Sequence, residues 1–124
     1  MPRQARVEYT GAIYHVTMRM VGGAWETGQE LDPSACLFQC DAERERFLAQ
    51  LAERVDEYGI RLFAYCLMLS HVHLYLETPQ GNLSRFMHSL ATAYTVYVNL
   101  RRQRHGSVLG RYKAKLVEGD NYHL

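Results

Sequence analysis

Residues 66–78 read "CLMLSHVHLYLET", and two histidines, His71 and His73, stand one residue apart inside this apolar run. Side chains alternate across a strand, so Val72, Leu74 and Leu76 share one face while His71, His73, Tyr75 and Glu77 share the other. A strand buried on both faces would have little use for two imidazoles. The stretch therefore reads as a half-buried strand with an apolar side and a histidine-bearing side. "GAIYHVTMRMV" (11–21) repeats the pattern, with Tyr14, Val16 and Met18 on one face and His15, Thr17 and Arg19 on the other.

Working outward, "DAERERFLAQLAERVDEYG" (41–59) predicts an amphipathic helix. Asp41 is the candidate cap, Phe47, Leu48, Leu51, Val55 and Tyr58 form the apolar stripe, and Gly59 is the stop. "IRLFAYCLML" (60–69) predicts a second strand, apolar enough to be central in a sheet, with Ser70 turning the chain into the histidine strand. A long helix is predicted from about Leu83 to Arg104, with Leu83, Phe86, Met87, Leu90, Tyr94 and Tyr97 inward and Gly106 as the stop. "GRYKAKLVEG" (110–119) predicts the last strand, and "DNYHL" (120–124) the first turn of another helix. The Gly-rich segment from Gly22 to Gln39 reads as a loop. The order β-α-β-β-α-β predicts an α+β, ferredoxin-like (split β-α-β) palm, one domain over residues 1–124, with both helices on one face of an antiparallel sheet. The other face is left to a ligand, a partner or solvent.

Hydrophobic residues make up 48% of the 124 and charged residues 22%, ordinary for a globular domain. No run approaches the roughly 18 apolar residues of a membrane span, and "MPRQARVEY" lacks the apolar core of a secretory signal; a cytoplasmic protein without membrane partners is expected. Three cysteines, Cys36, Cys40 and Cys66, give no disulfide framework. The net charge of +1 hides an asymmetry. Between Thr78 and Val117 there is no Asp or Glu, while Arg85, Arg101, Arg102, Arg104, Arg111, Lys113 and Lys115 all fall there. A basic half of this kind suits a polyanion.

Two imidazoles at i and i+2 of a strand lie roughly 6–7 Å apart at the base and can converge on one cation or one phosphate. Glu77 lies about 13 Å beyond His73 along an extended strand, too far to share an ion with it directly. Neither histidine stands beside an obvious serine or cysteine nucleophile, and no Gly-rich phosphate loop is present.

"HVH" (71–73), preceded by "AYCLMLS" and followed by "LYLET", stands with "YHVTMR" (14–19), "YTVYVN" (94–99) and "GRYKAKLVEGDNY" (110–122). Together these blocks resemble the small HUH-type tyrosine transposases, and within them the REP-associated tyrosine transposases, over nearly the whole chain. The resemblance implies a single-stranded DNA nuclease and strand transferase acting on hairpin DNA. It implies Mg²⁺ or Mn²⁺ bound by His71 and His73, and a tyrosine that attacks the scissile phosphate to leave a 5′-phosphotyrosine. Phosphates would engage Arg19, Arg101, Arg102, Arg111 and Lys113, and Arg3 and Arg6 the hairpin or its flank. In the family the nucleophile lies about two helical turns past the position of Tyr122, with the last metal ligand about one turn further. The chain is thus expected to end before the nucleophile helix, and Tyr122 is the nearest catalytic candidate. The alternative is a domesticated or truncated module that binds DNA without catalysis. A ferredoxin-like dimer holding a small ligand or metal on its sheet is a third reading, and a homodimer stays open.

Overall fold

The computed structural model describes residues 10–21 and 36–117. Six elements follow in the expected order: β1 (Ala12–Arg19), α1 (Asp41–Tyr58), β2 (Arg61–Leu67), β3 (His71–Thr78), α2 (Leu83–Arg102) and β4 (Lys113–Val117). The strands form one sheet in the order β2-β3-β1-β4, antiparallel throughout. This is the α+β split β-α-β architecture.

The alternation read from sequence sets the layers. Tyr14, Val16 and Met18 of β1 and Val72, Leu74 and Leu76 of β3 are buried together with Phe47 and Leu51 of α1 and Leu83, Phe86, Met87, Leu90, Tyr94 and Val98 of α2. Each fully buried aliphatic or aromatic side chain of this set stabilises the fold by about 1.5–3 kcal/mol. With both helices on this side, the opposite face of the sheet is left without a protein layer among the described residues.

Four local expectations need correction. The second strand is not central: β2 pairs only with β3, and Phe63 and Tyr65 are 46% and 51% exposed. Only Leu62 and Leu67 of this strand pack on the core; its remaining apolar residues reflect an open edge rather than burial on two sides. Asp41 does not cap α1. The cap position is Cys40, with no side-chain hydrogen bond, and Asp41 is the first helical residue, its carboxylate paired with Arg44 at 3.0 Å. Gly59 does end α1, in the left-handed region at φ 64°, its N–H bonded to the carbonyls of Val55 and Asp56. Helix α2 ends at Arg102 rather than Arg104, because Gln103 takes the left-handed cap at φ 52°. Finally, the loop read through Gln39 carries core: Leu37 and Phe38 are buried. The Leu37 N–H donates to the Leu69 carbonyl at 2.6 Å, and the Tyr94 hydroxyl donates to the Leu37 carbonyl at 2.8 Å. Residues 22–35 of that loop, and the "DNYHL" turn, lie outside the described residues.

Candidate metal and nucleic-acid site on the open sheet face

A tight turn fixes where the histidine pair begins. The Met68 N–H donates to the His71 carbonyl at 2.8 Å, and the buried Ser70 accepts the Met20 N–H at 2.9 Å through its carbonyl. His71 is thereby the first residue of β3, opposite Arg19, and His73 lies opposite Thr17. Because directly opposed residues share a face, the pairings build two rows across the open side. One runs Cys66, His73, Thr17, Lys113; the next runs Ala64, Tyr75, His15, Lys115.

Within these rows three imidazoles meet. The His71 and His73 ring centroids are 4.9 Å apart, edge to face, and the His15 ring stacks on His73 at 5.1 Å. His15 Nε2 and His73 Nδ1 are 3.0 Å apart, one donating to the other, and Thr17 Oγ1 lies 3.4 Å from the same Nδ1. Desolvation first, then the neighbouring His71 and His15, lower the His73 pKa from its ordinary value. The cluster therefore favours a neutral imidazole at His73, the form that ligates a metal. The sequence placed His15 on this face but gave no reason to single it out. The contact becomes legible only once the β1–β3 register is known. The same register sets the exposed thiol of Cys66 beside His73, although its Sγ–H points to the Met68 sulfur at 3.4 Å. Glu77 shares the face but pairs with Arg61 at 3.7 Å.

The donor set fits a divalent cation in part. His71 and His73 project from one face with rings in contact, and a hard cation such as Mg²⁺ ordinarily keeps several waters or phosphate oxygens beside one or two protein ligands. Among the described residues no group of three or more His, Cys, Asp or Glu side chains is arranged to hold a metal ion. The pair alone would leave most coordination positions to solvent and substrate.

The expected phosphate-binding cations divide. Arg19, Arg111 and Lys113 are exposed, with Arg19 and Lys113 on the histidine face. Arg102 requires correction: its side chain is only 10% exposed and its fork is occupied. It donates to Glu43 at 2.6 Å and to the carbonyls of Cys36 and Leu37 at 2.9 and 3.1 Å. Burial alone would raise the Glu43 carboxyl, but the hydrogen bonds from Arg102 and from the Gln39 N–H, with the charges of Arg102 and Arg101, hold it below its ordinary value. Arg101 shares this anchor at 3.2 Å while remaining 45% exposed. Both arginines sit on the helix side, at a shallow depression lined with Gln39 and Arg104. Arg3, Arg6 and Tyr122 lie outside the described residues. Of the described tyrosines only Tyr75 lies on the histidine face. Tyr94 is buried, and burial first, then the Glu43 carboxylate, push its phenol far above the ordinary range; it is a core hydrogen-bond donor.

A ferredoxin-like palm with helices on one face and a histidine-bearing sheet face on the other defines the class. The model of the family described as "Transposase IS200 like" matches residues 36–118, and the chain belongs to that family. Among solved structures, the chain is similar to a REP-associated tyrosine transposase bound to a REP hairpin, at 10% identity and a TM-score of 0.69. That match covers 96% of this chain and 64% of the other, so the chain spans less than two thirds of that protein. It is also similar to a protein described as a transposase from Deinococcus radiodurans R1, at 17% identity and a TM-score of 0.61, covering 97% of this chain and 89% of the other. No curated protein matches the sequence. No helix among the described residues is long and apolar enough to cross a membrane.

Proposed function

We propose that this chain binds single-stranded or hairpin DNA across the open face of its sheet and presents one phosphate to His71 and His73, the metal-binding half of a DNA-nicking and strand-transfer site. The observation that carries the reading is the contact of His15, His71 and His73 on a face that also carries Arg19, Lys113 and Lys115. Family membership supports it, and so does the likeness to a transposase caught on a hairpin. Mg²⁺ or Mn²⁺ bound at the pair would polarise the scissile phosphate as a Lewis acid.

The chain's own residues do the rest. Lys113 and Lys115, on the edge strand β4, hold the backbone phosphates next to the histidines. His15 and Thr17 fix the ring orientation of His73 through Nδ1, leaving its Nε2 for the ligand. Arg111 extends the basic border ahead of β4, and Arg3 and Arg6 reach the hairpin or its flank. The attacking tyrosine would come from a C-terminal helix, in the same or a second copy of the chain.

Fluorescence anisotropy with a DNA hairpin carrying a single-stranded flank tests the binding. Affinity should fall about linearly in log–log terms as salt rises; no binding, or none that salt weakens, sinks the proposal. Covalent trapping on the same DNA with Mn²⁺ tests the chemistry. A second reading is a module that binds hairpins without cutting them. A covalent protein–DNA adduct would exclude it.

A further inference from the structure

Beside the histidines the open face carries a feature that metal binding does not use. The β2–β3 pairing is irregular between Leu62 and Ala64, so that Phe63 is an extra residue facing the single partner Tyr75. Phe63 keeps the open-face alternation set by Arg61 and Leu62, and its ring meets Tyr75 with centroids 5.4 Å apart and planes tilted by 53°. Both rings keep much of their surface in solvent, 46% for Phe63 and 37% for Tyr75. Tyr75 stands two residues from His73 on the same strand face, roughly 6–7 Å along, comparable to the reach from a phosphate to a neighbouring base.

We propose that Phe63 and Tyr75 form a stacking shelf for a nucleobase flanking the phosphate held at the histidines. The proposal rests on the DNA-binding reading above and names where a base, rather than a phosphate, is held. The surroundings select this occupant over an apolar protein surface. The Arg61 guanidinium lies 6.0 Å from the Phe63 ring centroid and is largely exposed. Lys115 and His15 complete the row that contains Tyr75. Two exposed rings, bordered by Lys115 on one side and by the Arg61–Glu77 pair on the other, match a nucleotide, whose base stacks while its phosphate pairs. The bulge leaves two β2 residues, Phe63 and the small Ala64, opposite Tyr75.

Because stacking tolerates any base, the test needs no knowledge of a target sequence. Binding of a ten-residue oligothymidylate is compared with that of an abasic strand carrying the same phosphates, for the wild-type chain and for Phe63→Ala, Tyr75→Ala and Tyr75→Phe. The wild type should prefer the thymidylate about tenfold. Each alanine variant should lose most of that preference with an unchanged salt slope and melting temperature, and Tyr75→Phe should keep it, since the ring and not the hydroxyl carries the contact. Equal wild-type affinity for the two strands, or an alanine variant that keeps the preference, overturns the shelf while leaving DNA binding intact. Absence of salt-dependent binding to either strand overturns the DNA reading and the shelf with it. A wild-type dimer in sedimentation that becomes monomeric in Phe63→Ala would assign the rings to self-association instead.

Discussion

Arg102 and Lys113 look alike in the sequence, two cations in an acid-free half of the chain, and paired substitution separates them. Arg102→Ala leaves the buried Glu43 carboxylate without its 2.6 Å partner and frees two backbone carbonyls. Removing one side of a buried pair costs about 3–5 kcal/mol. Arg101 still approaches Glu43 at 3.2 Å, which places the expectation at the low end, about 3 kcal/mol. For a domain of this size that lowers the melting temperature by roughly 10 °C. The salt dependence of hairpin binding should not change, because no phosphate contact is lost. Lys113→Ala is the mirror case. Its side chain is exposed on the sheet face, so melting should stay near the wild-type value while the log–log salt slope becomes shallower by about 0.7. Thermal melts by circular dichroism and anisotropy titrations at several salt concentrations read both quantities. An Arg102→Ala protein that melts like the wild type but loses salt dependence would put that guanidinium on DNA and refute the structural assignment.

Calorimetry with Mn²⁺ should show weak binding that His71→Ala and His73→Ala each reduce at least tenfold, with Mg²⁺ weaker still because imidazole is a poor match for its preference for oxygen; unchanged affinity in both variants would remove the pair from the site. The depressed His73 pKa makes metal-free stability pH-dependent: the contribution is complete above the ordinary value of 6.5 and declines as pH falls through it toward the folded-state value. In His15→Ala one of the lowering influences is gone, so the His73 titration followed by NMR should move upward; a midpoint that stays or falls would contradict the contact. Glu43 acts at lower pH with the same sign. Its carboxyl lies below 4.5 in the folded chain, so its contribution is present above 4.5 and is lost as pH falls through the folded value. Acid titration of stability should be flatter in Arg102→Ala.

What the sequence made legible was whatever one strand or one helix can express alone. The alternation at Val72, Leu74 and Leu76 gives the buried face of β3, and the stripe at Leu83, Phe86, Met87 and Leu90 gives that of α2. Facts that depend on a second element were hidden. An apolar β2 can be central or an exposed edge, and only strand order decides. Arg102 is indistinguishable from a surface arginine until α1 brings Glu43 against it. Leu37 and Phe38 look like loop until Tyr94 and Leu69 fasten that backbone. The candidate site divides the same way: His71 and His73 are a local i, i+2 pair, whereas His15, Cys66 and the Phe63 bulge come into place through register.

Register also bears on a choice the sequence left open, whether the histidine pair suits a cation or a phosphate. A phosphate is best held by imidazolium, and three imidazoles in contact on one strand pair would then have to carry adjacent positive charges. The arrangement opposes this: desolvation and the His71 and His15 neighbours lower the His73 pKa, favouring the neutral ring. Neutral imidazole is a poor anchor for an anion and a good ligand for a metal. In the proposed site the phosphates would then fall to side chains that stay charged, Lys113 and Lys115 at the β4 border of the same rows. That division supports the proposed cation role of the pair over a phosphate role. It also leaves Tyr75, in the row beside His73, free to meet a base.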